Sequence, residues 1–356
     1  MKIPRALSVI PCAIMLVQGA VHAQDAKPLP LNPADHAAAT TAVGTLQVHH
    51  NVRQGVNRAD VWASEHFHPA SLTILGASPD IAVTSRYGGY DGLGPGFPSG
   101  FNLVVFPGYL SKPNNNPTLQ FAQQHPLYVN PPVSPVPAHW GFPDVFLNEL
   151  AGSNFIHVTD EYAGLIANRR YPLGTQLYGT IAEPHLMQDS DILALVHAAA
   201  LAVGGGYGHV YHIFLAKGQD VCSGTGNTSC YSPDIPSSFQ FCAYHASTTF
   251  ADVGHVIFSV EPFQNVPGCR ITGLPSPNGQ LADSTASVLS HELFEAITDP
   301  DGNAWWNRDS LDLGGAEIGD ECQSRTFNYG NVFLTTRSYE LQSEYSNLYN
   351  GCTYNP

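Results

Sequence analysis

Six of the seven cysteines lie within the last 135 residues, and this clustering constrains the fold more than any other feature. They are Cys222, Cys230, Cys242, Cys269, Cys322 and Cys352. An even number of cysteines is typical of disulfide bonding in exported proteins, and six of them allow fifteen pairings. No C-x-x-C pair occurs, which disfavours a cysteine-based zinc site. We therefore predict three disulfides, with Cys322 paired to Cys352 because each closes the same C-terminal segment.

The N-terminus predicts that the chain is exported. Residues 1–5 are basic, residues 6–20 are mostly apolar, and residues 21–23 (Val-His-Ala) suit a signal peptidase. We predict a signal peptide over residues 1–23 and a mature chain that starts at Gln24. The apolar run is too short for a comfortable membrane span. The expected location is therefore secreted, either extracellular or periplasmic, with no membrane association after cleavage.

Charge and composition exclude one class of partner. The formal charge of −15 becomes −17 once Lys2 and Arg5 leave with the signal peptide. Nucleic acids need a basic binding surface, so we expect no nucleic-acid partner. Only 12% of residues are charged, whereas 33 glycines and 28 prolines indicate many loops. A hydrophobic content of 43% is enough to build a folded core.

Local patterns predict a mixed α+β fold. The stretch "DSDILALVHAAALAVGGGYG" predicts a helix capped by Asp189 or Ser190 and ended by its glycines. Strands are predicted over residues 101–106, 209–217 and 254–262, and a strand pair is expected before Cys352. The cysteine-rich residues 218–250 are predicted as a loop held by one or two disulfides. Four parts follow: a signal peptide (1–23), a flexible segment (24–45), a Gly/Pro-rich N-terminal region (46–139) and a C-terminal domain (140–356).

One helix in that domain carries the residues that suggest chemistry. Its sequence "SHELFEAITDP" nearly matches the zinc-peptidase signature H-E-x-x-H, with Glu295 in the place of the last histidine. We predict that the helix starts at Asp283 or Ser284 and ends by about Asp299, because a proline follows. His291 and Glu295 are one turn apart and project from the same face. An imidazole and a carboxylate placed in this way could share a metal ion.

Two further acidic residues could complete such a site. Glu317 lies 22 residues after Glu295, a spacing similar to that before the third ligand of thermolysin-like peptidases. We predict Glu317 as the third ligand, with Asp320 as an alternative ligand or as a partner that orients His291. Glu292 occupies the position of the general base in zinc peptidases and would activate water.

The identity of the ion and several alternatives stay open. One histidine with two carboxylates favours zinc less decisively than a histidine-rich site and admits manganese or calcium. His245 and His255 are interpreted as structural, but they are the first places to look for a missing ligand. The segment "DPDGN" could bind calcium through Asp299, Asp301 and Asn303, although a simple turn explains it. The His/Glu pattern itself also occurs by chance on ordinary helices.

A family resemblance adds to these observations. The segments "VLSHELFEAITDPDGNAWW", "AEIGDEC", "FCAYHAS" and "FLNELAGSNFIHVTDEYAG" resemble, in sequence and order, the plant phosphate-induced protein/EXORDIUM family and its bacterial relatives. The match covers about residues 140–352. The resemblance implies export, and a role in the cell wall or in growth without a settled enzymatic activity. Asp299 departs from the family pattern, which has asparagine at that position.

Together these patterns predict a secreted zinc-dependent hydrolase, specifically a metallopeptidase with a zincin-like α+β fold. Its substrate would be a peptide or a cell-wall-associated molecule. The alternative is a non-catalytic extracellular protein, with a cell-wall or signalling role, that holds a structural metal or none.

Overall fold

Apolar segments from both halves of the chain form a seven-stranded sheet in a computed structural model of the protein. The structure describes residues 27–28, 46–52, 101–109, 137–163, 170–181, 186–224, 229–273, 275–301, 305, 317–323, 329–349 and 351–356. The predicted signal peptide lies outside these residues. No helix in the described part is long and apolar enough to span a membrane.

The sheet is mixed, with strand order β1-β4-β3-β5-β9-β8-β2. Its strands are β1 (Lys27–Pro28), β2 (Gln47–Val52), β3 (Phe101–Tyr109), β4 (Leu173–Ile181), β5 (His209–Phe214), β8 (Phe241–Phe250) and β9 (Gly254–Glu261). The first five strands in that order are parallel to one another, and β8 runs antiparallel to both β9 and β2. Strands β2 and β3 come from the predicted N-terminal region, so that region and the C-terminal domain share one sheet.

Three smaller sheets of two strands each complete the β structure. They pair β6 (Val221–Ser223) with β7 (Ser229–Tyr231), β10 (Tyr329–Phe333) with β11 (Ser338–Gln342), and β12 (Glu344–Ser346) with β13 (Gly351–Thr353). The β12–β13 pair confirms the strand pair predicted to end at Cys352, whereas β10 lies before the segment in which that pair was predicted.

Helices pack on both faces of the large sheet. They are α1 (Pro143–Gly152), α2 (Asp160–Ala163), α3 (Asp189–Val203), α4 (Gln280–Thr298) and α5 (Ile318–Gln323), with 3-10 turns at Pro137–Trp140 and Phe155–Thr159. Alternate residues of a strand point to opposite faces. Accordingly, Val210 and Ile257 pack in a core with α1 and α4, whereas Tyr211 and Phe258 pack in a second core with α3. The predicted mixed α+β class is confirmed.

The two predicted helices exist, but their starts differ from expectation. Helix α3 begins at Asp189 after Gln188, whose side chain forms a capping box with Asp191, so the predicted cap was one residue late. Helix α4 begins at Gln280 and ends at Thr298. The predicted start of α4 was wrong because Asp283 accepts hydrogen bonds from the backbone and side chain of Asn278 instead of capping the helix itself.

The prediction of a loop over residues 218–250 was wrong, because three parts of this segment form strands. That segment contains β6, β7 and the ten-residue strand β8. Strand β8 lies between β9 and β2, and all but one of its residues are buried. A strand that is covered on both faces shows no alternation of polar and apolar residues, which removes the usual sequence signal.

Three disulfides confirm the expected cysteine usage. Cys222–Cys230 joins β6 to β7, Cys242–Cys269 joins β8 to the loop after β9, and Cys322–Cys352 joins α5 to β13. The last pair is the one predicted from the sequence. Disulfides of this kind suggest that the protein folds in an oxidising compartment.

Candidate metal centre

Helix α4 passes through the interior and carries buried polar side chains toward the sheet. It packs against β8 and β9 on one side and against β11 and α5 on the other. His291 and Glu292 are completely buried, and Glu295 is 1% exposed. Leu289 and Leu293 lie in the core shared with α1, so the apolar side of the helix fixes the direction of its acidic side.

His245 of β8, Glu295 of α4 and Glu317 form the first buried group that could hold a metal ion. Nδ1 of His245 lies 3.6 Å from Oε2 of Glu295, and Nε2 of the same ring lies 3.6 Å from Oε1 of Glu317. One ligand atom from each of the three residues lies within 4.8 Å of the other two. Glu317 immediately precedes α5.

A second group combines His291, Glu295 and Asp320. Nε2 of His291 lies 3.1 Å from Oε1 of Glu295 and 3.4 Å from Oδ1 of Asp320. The backbone N–H of Asp320 donates to the same Glu295 oxygen at 3.1 Å. On the other side of the ring, Nδ1 of His291 lies 3.1 Å from the amide nitrogen of Gln342, which also donates to the Gly319 carbonyl.

Gly319 allows α5 to approach α4 this closely. A Cβ at this position would lie 2.5 Å from Nδ1 of His291 and 2.9 Å from Oε1 of Glu295. Any side chain there would force the two elements apart. The glycine in "EIGDEC" is therefore part of the site, although it supplies no ligand.

Further buried carboxylates surround the two groups. Oε2 of Glu292 lies 3.3 Å from Nδ1 of His245. Burial, followed by the charges of neighbouring carboxylates, holds the pKa of Glu317 well above the ordinary value. Burial also raises the pKa of Glu292 well above that value, although the charge of His291 opposes the shift. Glu344 of β12 is completely buried as well, and its pKa is raised mainly by burial. Glu261 of β9 accepts a hydrogen bond from Ser259, and burial raises its pKa to about 8.

The surroundings favour the charged form of His291, the histidine of the second group, whereas they disfavour the charged form of these carboxyls. Burial by itself would lower the pKa of His291, but the carboxylates of Glu295 and Asp320 hold that pKa well above its ordinary value. Their negative charge favours a cation at this position. A proton on the imidazole supplies one such cation, and a bound metal ion would supply another.

The structure therefore brings the four predicted ligands together but divides them between two groups. Glu295 belongs to both groups, Glu317 lies with His245, and Asp320 lies with His291. His245, which was interpreted as structural and named as a place to look for a further ligand, lies in the first group, with its ring between Glu295 and Glu317. Its place in the site follows from β8, which the sequence reasoning missed.

His255 and Asp301 lie outside both groups. Nε2 of His255 is 3.1 Å from Oδ1 of Asp301. Asp301 also accepts hydrogen bonds from the hydroxyls of Tyr207 and Ser247, each at 2.6 Å. The alternative calcium site in "DPDGN" would need the carboxylate of Asp301. That carboxylate already accepts these hydrogen bonds.

Glu261 and Glu344 were not identified from the sequence. Each is a single acidic residue within a strand, and no spacing relates it to the helix motif. In "VIFSVEP", Ser259 and Glu261 are two residues apart in a predicted strand, and this spacing was the signal that they would share one face.

Comparison with known proteins adds no relative to this picture: no family model, no curated protein and no solved structure matches the chain. Fold and site together define an α+β protein in which buried His, Glu and Asp groups could hold a metal ion.

Proposed function

We propose that this protein is a secreted metal-dependent hydrolase, specifically a zinc metallopeptidase that acts on peptide or cell-wall-associated substrates. One observation carries the proposal: β8, α4 and the segment around α5 deliver two histidines and three carboxylates to one buried place. Glu292 lies beside them. These elements are distant in sequence, so their convergence is not a consequence of local helix geometry.

The roles follow from the chemistry of the side chains. A bound divalent cation would polarise a carbonyl and lower the pKa of water. His245, His291, Glu295, Glu317 and Asp320 would hold the cation. Glu292 would accept the proton from water and return it to the leaving group, and burial, which raises the pKa of this carboxyl, favours its proton-bound form.

The imidazole ligands support zinc, and the oxygen ligands leave manganese as the next choice. A helix bearing H-E-x-x-E, packed on a sheet and completed by a later acidic segment, supports a zincin-like relationship. The disulfides and the predicted signal peptide support secretion. The quoted segments support membership of the EXORDIUM-like proteins, which we propose on that ground alone.

A second candidate is a non-catalytic extracellular protein that uses the ion to stabilise its fold. Burial favours this candidate, because the described side chains of both groups are no more than 3% exposed. Structural metal sites are closed, whereas catalytic sites keep one position open to water or substrate.

Glu292→Gln separates the two candidates. The mature chain, purified without chelators, is analysed for metal and assayed with unfolded protein substrates. For a hydrolase we expect the variant to keep its metal and lose about 100-fold or more of its activity, the usual scale of a general base. Glu340→Gln is the matched control, because Glu340 is buried on β11 but belongs to neither group.

Three results would contradict the proposal. A chain that contains no metal under these conditions has no metal centre. If the metal-loaded Glu292→Gln variant hydrolyses substrate as fast as the parent, Glu292 is not the base. If the parent is inactive and its melting temperature depends on metal, the ion is structural.

A further inference from the structure

The geometry points to two divalent cations in this centre, bridged by the carboxylate of Glu295. This inference rests on the proposed metal site and deepens it. We propose that His245 and Glu317 hold one ion, that His291 and Asp320 hold the other, and that Glu295 contributes one oxygen to each.

The two oxygens of Glu295 face different partners. Oε1 lies 3.1 Å from Nε2 of His291, whereas Oε2 lies 3.6 Å from Nδ1 of His245. Each oxygen therefore belongs to a separate histidine-carboxylate group. A carboxylate placed between two such groups can bridge ions about 3.5–4 Å apart, which is the separation found in two-metal hydrolase sites.

A single ion would leave part of this arrangement unused. Catalytic zinc typically takes three protein ligands and a water, but the two groups together offer five side chains. Each group by itself supplies three ligand atoms within 4.8 Å of one another, and each contains one histidine. The number of ligands fits two sites with three ligands each and one shared residue.

Buried polar atoms give an independent reason for cations on both sides. Nε2 of His291 is completely buried and points between Glu295 and Asp320 without hydrogen-bond geometry to either one. Oε1 of Glu292 and both carboxylate oxygens of Glu344 are buried without a hydrogen-bond partner among the described residues. Buried groups of this type normally pair or coordinate metals.

The balance of charge also favours more than one ion. Three ligand carboxylates, with Glu261, Glu292 and Glu344 beside them, can carry six negative charges, and one divalent ion offsets only two of these. A second ion brings the centre closer to neutrality, which lowers the cost of burying it.

Manganese is the probe for this arrangement, because it binds histidine and carboxylate ligands and is paramagnetic. The full mature chain is stripped of metal, dialysed against Mn²⁺ and analysed by elemental analysis and electron paramagnetic resonance. We expect two Mn²⁺ per chain and a spectrum of an exchange-coupled pair. Glu317→Gln and Asp320→Asn should each retain one ion and lose the coupled signal. Glu340→Gln should keep both ions and the coupling.

The outcomes separate this inference from the function on which it rests. One Mn²⁺ per saturated chain, with no coupled signal, overturns the two-ion centre and leaves the single-ion hydrolase intact. No bound Mn²⁺ and no bound Zn²⁺ overturns both. Two ions without coupling overturn the bridge by Glu295. Circular dichroism checks the fold of each variant, and if one of the Glu317 and Asp320 variants does not fold, the other decides the outcome.

Discussion

Two of the clusters in the described part of the chain that combine histidines with acidic residues differ in how the acids are satisfied. Near the turn between β8 and β9, Asp301 accepts from Tyr207 and Ser247 and lies beside His255, and these four residues form the edge cluster. In the interior, three carboxylates share two histidines, and further buried acids lie against them. The first cluster has several donors for one acid, whereas the second has several acids for each histidine.

The pKa values show what this difference means. Burial would raise the pKa of Asp301, but the adjacent His255 ring and hydrogen bonds from Ser247 and Tyr207 outweigh burial and hold it below the ordinary value. In the interior, burial and neighbouring carboxylates raise the pKa of Glu292 and Glu317. The edge cluster is therefore stable as an anion by itself, whereas the interior cluster needs protons or metal cations.

Metal removal should have the largest effect and should separate the two clusters. At free metal 100 to 1,000 times the dissociation constant, binding stabilises a fold by about 3–4 kcal/mol. We expect a chelator to lower the free energy of unfolding by about this amount, measured by chemical denaturation. The chelator should lower the free energy of unfolding of Asp301→Asn by the same amount, and it should not change that of Glu295→Ala. An equal chelator effect in Glu295→Ala would place the ion elsewhere.

Loss of the Cys322–Cys352 disulfide should come next. Replacing both cysteines by serine should cost about 2–4 kcal/mol of stability. It should also weaken metal binding about tenfold, because this bond anchors α5, which carries Asp320 and follows Glu317. Metal titration measures the affinity. The matched control replaces Cys222 and Cys230, which join β6 to β7 and should affect stability alone. Equal affinities in the two double variants would refute the link.

Asp301→Asn should have a smaller effect, confined to the edge cluster. The amide cannot accept from all three partners of the carboxylate, so we expect a loss of about 1–3 kcal/mol in the free energy of unfolding. Tyr207→Phe removes one of these bonds and should cost about 1 kcal/mol. Metal content should stay at the parent level in both variants. A loss of metal on Asp301→Asn would show that the two clusters are coupled.

The smallest effect concerns acid pH. The folded pKa of Asp301 is depressed, so its stabilising contribution is present above the unfolded pKa of about 3.9 and is lost as pH falls through the folded value. The parent should lose more stability than Asp301→Asn below about pH 4, by roughly 1 kcal/mol. Denaturation of metal-free protein across this range measures the difference. Parallel curves for the two proteins would contradict the assigned shift.

Much of the site could be predicted from local sequence because α4 is a regular helix. A helical repeat places residues 291 and 295 on one face whatever the rest of the fold, and the proline after residue 299 ends the helix near the predicted position. Glu317 and Asp320 could be predicted because they occur in a short acidic segment beside a cysteine. The pairing of Cys322 with Cys352 then brought that segment close to the C-terminus.

The rest of the site could not be predicted from the sequence, because it depends on contacts between distant segments. His245 precedes Glu295 by 50 residues, and it joins the site only because β8 pairs with β9 beneath α4. Glu261 and Glu344 likewise face inward because of strand pairing and register, which no local pattern reveals. The division of the ligands into two groups that share Glu295 is a property of the packed structure, since the sequence suggested one set around one ion.

Anomalous X-ray scattering from crystals of the full mature chain, grown with Zn²⁺ and measured at the zinc edge, tests the central claim most directly. We expect two anomalous peaks, one between His245, Glu295 and Glu317 and the other between His291, Glu295 and Asp320. Ordered density for these side chains with no peak among them would show that protons and protein donors satisfy the buried acids, and it would contradict the metal centre.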